Sequence, residues 1–234
     1  MKALVIGAAG DVGRGIVAAM AAHGWSVGAA GRSAESLADV AATTPGGPVT
    51  PVVGSVADRH AALALVRAGR DALGGLDAVV VSVNGPKRTG ALLDWAAGDI
   101  AVALDANVLS HLHALSAALE VMGPDGVFIG IGGGMADFIV PTQGVTAMSQ
   151  AALRNMYRCA ARENPARLIR ELQVAAMVNG RSTRAIADET WLAAEKIGEH
   201  ACAMIERPAE FAGPVIRLTT KDPIGVPPAP LAKA

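Results

Sequence analysis

Ala3-Leu4-Val5-Ile6-Gly7-Ala8-Ala9-Gly10-Asp11-Val12-Gly13 is the stretch whose reading decides the fold. Four apolar residues without polar alternation suit a strand buried on both faces, as in a parallel sheet. Glycines follow at once, and residues 14–22 then take up the apolar spacing of a helix. Strand, glycine-rich turn and helix together open a βαβ unit. Glycine lets the backbone bend tightly and lets a pyrophosphate approach without Cβ in the way. The helix start then offers unpaired N–H groups and a partial positive charge. The stretch predicts a nucleotide site built from Gly7, Ala9, Gly10, Asp11, Val12 and Gly13.

Outward from this turn, short apolar runs alternate with longer amphipathic ones. Strands are expected at 3–6, 26–30, 49–53, 78–83, 127–131, 172–177 and 215–218, and helices at 12–23, 33–42, 58–73, 95–121, 145–163 and 189–206. Ser33 and Asp58 read as helix starts; Gly24, Gly74, Gly75 and Gly123-Pro124 read as stops or turns. The expected fold is α/β: a Rossmann-type, doubly wound parallel sheet of about seven strands, with helices on both faces, in three layers. One domain is expected over 1–222. The tail 223–234, with four prolines, reads as a surface or partner-contacting extension.

Composition narrows the function classes. A net charge of −1 gives no electrostatic footprint for nucleic acid or anionic lipid. Hydrophobic residues make up 52%, much of it alanine, and no uninterrupted apolar stretch reaches the roughly 20 residues of a spanning helix. The chain start lacks a signal-peptide profile. No membrane is expected, and the cytoplasm is the expected compartment. Cys159 and Cys202 fall in helical patterns and read as buried core thiols. His111 and His113 would point about 200° apart on one helix, so no shared metal site is expected. Arg154, Arg158 and Arg162 form a stripe read as solvated or interfacial.

At the end of the second expected strand stands Gly31-Arg32-Ser33, with no carboxylate until Glu35. A carboxylate there would hold the ribose 2′-OH of NAD, whereas a guanidinium holds a 2′-phosphate. NADP(H) is therefore the expected cofactor, with Arg32 and Ser33 at its phosphate. The alternative is that Arg32 only solvates the next helix.

These motifs stand in the order found in the short-chain dehydrogenase/reductase family, which the chain resembles over about residues 1–220. Gly7 to Gly13 occupies the place of the family's glycine-rich turn, and Gly75-Leu76-Asp77 leads into the fourth strand. Leu104-Asp105-Ala106-Asn107-Val108 is similar to the segment carrying its proton-relay Asn, and Ala151-Ala152-Leu153 matches the helix after its active-site motif. The resemblance implies that Ser55, Val56, Ser82, Asn84 and Gln150 complete the cofactor site. It also implies a homodimer or homotetramer through the helices at 95–121 and 145–163.

Departures from the family pattern are as informative. Asp11 stands at the second turn glycine, and Val81-Ser82-Val83-Asn84 replaces Asn-Asn-Ala-Gly. The Tyr-x-x-x-Lys motif aligns with Thr146 to Gln150, and Gly133 stands at the catalytic Ser. Of the expected tetrad only Asn107 remains. An aliphatic hydroxyl such as that of Thr146 barely ionises, and Gln150 carries no charge to help it. The one tyrosine, Tyr157, lies eleven residues further on, about 16 Å along the helix, and reads as packing.

Hydride transfer belongs to the cofactor, so a substrate needing little proton help, such as an imine or activated alkene, can still react. Thr146, Ser82 and Asn107 can hydrogen-bond a substrate oxygen. Asp137, on the loop 135–144, is the carboxylate placed to act as acid or base, or is simply solvated. The sequence thus points to a divergent NADP(H)-dependent oxidoreductase on a small organic substrate. Two other readings stay open: a non-redox isomerase, cyclase or lyase, and an inactive NADP-binding sensor or partner subunit.

Overall fold

Period-two alternation within the strands sorts the core into two layers. The computed structural model describes residues 1–85 and 89–227. In β1 (Lys2–Ile6), Ala3 and Val5 face one layer, Leu4 and Ile6 the other, and all four are at most 2% exposed. This strand is central in a seven-stranded, wholly parallel sheet. Beyond it on one side lie β2 (Ser26–Gly31) and β3 (Val49–Val53). On the other lie β4 (Ala78–Val81), β5 (Val127–Gly133), β6 (Leu168–Val174) and β9 (Val215–Leu218). A short parallel pair, β7 (Val178–Asn179) and β8 (Leu192–Ala193), stands apart.

Helices α1 (Asp11–Ala22), α2 (Ala34–Thr43) and α7 (Ala194–Glu206) contribute to the first core layer. The second is closed by α3 (Arg59–Leu73), α5 (Ser110–Val121) and α6 (Gly144–Glu163). Because β1 has β2 on one flank and β4 on the other, strand order reverses there. The carboxyl edge at that switch point is where open α/β sheets bind ligands. Helix starts agree with the capping signals: Ser33 Oγ accepts from Ser36 N–H at 3.2 Å, and Asp58 Oδ1 from Ala61 N–H at 2.8 Å.

Several expectations need correction. The expected helix at 95–121 is three pieces: α4 (Ala97–Leu104), one π-helical turn at Asp105–Leu109, and α5. By length and composition the run Ala97–Val121 is apolar enough to cross a membrane. Its α5 segment instead packs against α3, β4 and β5. Strand β4 ends at Val81 rather than at 83. Helix α7 starts at Ala194, after β8, rather than at 189. The sixth strand is Leu168–Val174 and not 172–177, since it carries Arg170, Glu171 and Gln173 inward, which breaks the apolar pattern. Cys159 is exposed; only Cys202 is buried. The start of the tail is docked: Ile224 packs on the first core layer, and Gly225 N–H donates to His200 Nδ1 at 3.1 Å. Residues 228–234 of that tail lie outside the described residues.

Two buried ionisable groups carry opposite pH dependences. Glu171 is 0% exposed, its carboxyl oxygens lack hydrogen-bond partners among the described residues, and burial pushes its pKa up to about 7 from 4.5. His111 is also 0% exposed, and burial pushes its pKa down to about 4 from 6.5. A folded state that holds the Glu171 proton tightly loses stability as pH rises from 4.5 to about 7. A folded state that rejects the His111 proton loses stability as pH falls from 6.5 to about 4. Each effect amounts to about 3 kcal/mol in full, and between pH 4.5 and 6.5 they oppose one another. Denaturant unfolding should therefore show Glu171→Gln unmasking the histidine slope, with stability rising by about 2 kcal/mol across that window. A variant profile superimposable on the parent's contradicts this.

Candidate functional site

The glycine turn is built by close backbone approach. Gly7, at φ +86°, donates its N–H to Ala30 O at 2.9 Å, and Gly10 N–H closes the turn onto Gly7 O at 3.1 Å. A Cβ on Gly7 would stand 2.4 Å from Ser82 O, and one on Gly13 would stand 2.1 Å from Gly7 O. Both positions exclude any side chain. Helix α1 starts here, with Gly10 as its cap. The N–H groups of Asp11, Val12 and Gly13 have no partner among the described residues, as expected of a helix start.

Over this helix start lies the segment 180–183 between β7 and β8. Asp11 Oδ1 accepts from Ser182 N–H at 2.7 Å, and Asp11 Oδ2 from the Ser182 hydroxyl. One residue back, Arg181 donates to Asp39 Oδ2 at 2.5 Å. Arg14, on α1, donates to the same oxygen at 2.7 Å and to Ala9 O at 3.2 Å. The Arg181 and Arg14 guanidiniums hold the Asp39 carboxyl below the usual carboxylate range. Together with Gly10 and Ser36 these groups line an open cleft of about 870 Å³ between α1 and α2.

Arg32 is exposed at the end of β2 and has no ion pair among the described residues. Ser33, by contrast, is engaged as the cap of α2. Ser55 Oγ accepts from Ala57 N–H at 3.1 Å, and Val56 is 6% exposed with its carbonyl 3.3 Å from His113 Nδ1. Three free N–H groups, two positions closed to Cβ and an unpaired guanidinium fit the phosphates of a dinucleotide. Asp11 is the exception, because its carboxylate, bound to Ser182, adds negative charge at the helix start.

At the ends of β4 and β5 the remaining expected residues gather. Ser82 N–H donates to Ile6 O at 2.8 Å, and Asn84 is exposed just beyond. Asn107 lies in the π-helical turn; its Oδ1 accepts from Gly85 N–H at 2.8 Å and its Nδ2 donates to Ala103 O at 2.7 Å. It ties α4 to the segment after β4. Gln150 lies against Gly133: a Cβ there would be 2.3 Å from Gln150 Nε2. Gln150 Oε1 is buried without a partner among the described residues. Thr146 donates its hydroxyl to Gln143 Oε1 at 3.2 Å.

Asp137 corrects an expectation. Its carboxylate accepts from Arg154 and, at 2.9 Å, from Gln173 Nε2, and Arg154 above all holds it below the usual range. Both oxygens are engaged, so Asp137 anchors the loop as a carboxylate rather than standing solvated. Tyr157, 0% exposed, donates to His111 Nδ1 at 2.7 Å. His111 Nε2 must then carry the proton, donating to Val83 O at 2.9 Å. His111 and His113 thus serve separate contacts. Sequence reasoning misses the groups Arg14, Asp39, Arg181, Ser182 and His111, which are joined only by the fold.

The sequence model of the family described as enoyl-(acyl carrier protein) reductase matches residues 7–222. No curated protein matches. Solved structures similar in fold include a short-chain dehydrogenase/reductase from Serratia marcescens at 24% identity and TM-score 0.79, covering 92% of this chain and 94% of that one. An alcohol dehydrogenase from the archaeon Thermococcus sibiricus, complexed with 5-hydroxy-NADP, aligns at 20% identity and TM-score 0.79, covering 94% and 97%. A 3-oxoacyl-[acyl-carrier protein] reductase from Brucella melitensis aligns at 21% identity and TM-score 0.76, covering 93% and 95%. With a seven-stranded Rossmann-type sheet and a family match spanning nearly its whole length, this chain belongs to the short-chain dehydrogenase/reductase family.

Proposed function

We propose that the chain is an NADP(H)-dependent oxidoreductase acting on a small, largely apolar organic substrate at a bond that needs little help with protons. An activated alkene or an imine meets that requirement. The observation that carries this reading is the pairing of a formed phosphate turn with a sealed tyrosine. The chain has one tyrosine, and its hydroxyl is bound to His111 in the core. When bound, the cofactor supplies or accepts the hydride.

The chain's own residues bind and orient. Gly7, Gly10, Val12 and Gly13 present backbone to the pyrophosphate, and Arg32 takes the 2′-phosphate. NADP is supported by the absence of a carboxylate at the end of β2, and by the NADP analogue in the Thermococcus sibiricus structure. Gly133, Thr146 and Gln150 stand where the family resemblance places Ser, Tyr and Lys. Thr146 and Ser82 hydrogen-bond a substrate oxygen, Asn107 shapes the wall, and water supplies the proton. An apolar substrate is supported by Leu93, Phe138, Ile139, Met177 and Ile186, all exposed on segments after β4, β5, β6 and β7. The description of the matching family, an enoyl reductase, agrees with an alkene.

Cofactor oxidation on matched substrate panels tests this. Turnover is expected on α,β-unsaturated carbonyl compounds or imines and not on isolated ketones. The triple replacement Gly133→Ser, Thr146→Tyr and Gln150→Lys should confer ketone reduction. Ketone turnover by the parent contradicts the reading.

The Asp11–Ser182 contact favours a second reading, a nucleotide sensor whose segment 180–183 opens on binding. It makes a separate prediction. Asp11→Gly removes a like charge from the phosphate position and should tighten NADPH binding about tenfold by fluorescence titration. Unchanged or weaker binding contradicts the contact's role.

The proposed assembly rests on an exposed apolar face of α4, α5 and α6. Val102, Leu109, Leu112 and Met148 are between 41% and 67% exposed, and only 28% of the apolar window in Ala97–Val121 is buried. A second copy of this chain is the proposed cover, giving a homodimer or homotetramer. Sedimentation should show a species larger than a monomer, and Val102→Glu with Leu112→Glu should dissociate it. A monomeric parent contradicts the assembly.

A further inference from the structure

At the amino edge of the sheet, opposite the glycine turn, lies an open cavity of about 720 Å³. Four arginines line it: Arg158 and Arg162 from the last turns of α6, Arg167 from the turn into β6, and Arg170 from β6 itself. None of the four has an ion pair among the described residues, although Arg14, Arg59, Arg67, Arg70, Arg154, Arg181, Arg184 and Arg207 all do.

Their hydrogen bonding is also incomplete. Arg158 Nη1 donates to Asn155 Oδ1 at 3.2 Å, Arg167 Nη2 to Met122 O at 3.4 Å, and Arg170 Nη2 to Pro208 O at 2.6 Å. Arg167 Nε, Arg170 Nε and Arg170 Nη1 are buried with no partner among the described residues. Buried donors without acceptors are costly, and guanidinium groups one turn apart on a helix repel. The α6 dipole offsets part of this, but it fades beyond the last turn, which holds Arg162 and not Arg158. The whole chain carries a net charge of −1, so this concentration of positive charge is local.

We propose that this cavity is an anion-binding site, separate from the cofactor cleft, for a small molecule bearing a multiply charged phosphate group. Guanidinium forks match phosphate oxygens two at a time, and several converging on one cavity select a polyanion over a monoanion. Leu168, Ile169 and Pro214 give the cavity apolar wall as well, so an organic portion attached to the phosphate is accommodated.

Inorganic pyrophosphate is the probe, titrated calorimetrically into the full chain at low ionic strength. Arg158 and Arg162 are exposed, so Arg158→Gln with Arg162→Gln should leave folding and NADPH binding intact. That pair should weaken pyrophosphate binding at least about tenfold, through lost charge-assisted bonds. The lysine pair, Arg158→Lys with Arg162→Lys, should fall between the two because charge remains and the fork is lost. The turn at Gly7–Gly13 is the other place where pyrophosphate can bind, so the titration is repeated on the chain saturated with NADPH, and pyrophosphate binding should be unchanged. Orthophosphate should bind more weakly than pyrophosphate. The proposal is overturned if the parent binds no pyrophosphate, if the glutamine pair binds it as well as the parent, or if saturating NADPH abolishes binding. It is also overturned if Arg158 and Arg162 govern self-association instead, seen as monomers for the glutamine pair by sedimentation with no change in pyrophosphate affinity.

Discussion

Gly7 and Gly13 meet backbone to backbone, and Gly7 in turn meets the end of β4 at Ser82. That approach sets where α1 begins, and so where its free N–H groups point. It also fixes the spacing between β1 and the segment after β4. A methyl group at either glycine would drive the turn from both neighbours. Much of the carboxyl edge is arranged around this contact: the Ala30 carbonyl receives Gly7 and Ala8, and Ser82 N–H returns to Ile6.

Behind that edge stands a polar wall that serves position rather than reaction. Arg154 and Gln173 grip Asp137, which pins the loop after β5. Tyr157 and His111 relay a hydrogen-bond chain to Val83, which pins the segment after β4. Tyr157 and His111 are buried and Asp137 is paired, and Glu171 sits among them with its pKa raised to about 7 by burial. A rigid wall with little acid–base capacity fits chemistry in which the hydride step does most of the work.

The elements legible in the sequence are those whose signal is local. The first strand, its glycines, the caps at Ser33 and Asp58 and the apolar runs of β1 to β5 each announce themselves within a few residues. The sixth strand is displaced in a sequence reading because Arg170, Glu171 and Gln173 break the apolar run, yet all three turn inward. The 95–121 helix reads as continuous because its composition is continuous; the π-helical turn at Asp105–Leu109 leaves no compositional mark. Asp137 is a sound candidate by position, and only the fold shows that Arg154 occupies it. The Asp11–Ser182 contact joins residues 171 apart in sequence, beyond the reach of any spacing rule.

Cofactor preference tests the account most directly. Fluorescence titration of the purified chain with NADPH and NADH should show NADPH binding at least about tenfold more tightly, since a charge-assisted contact to the 2′-phosphate contributes on that scale. Arg32→Ala should erase the difference while leaving NADH binding as it was. Equal affinity for the two cofactors, or binding of neither, would contradict the assignment of Arg32 and of the glycine turn to a dinucleotide phosphate.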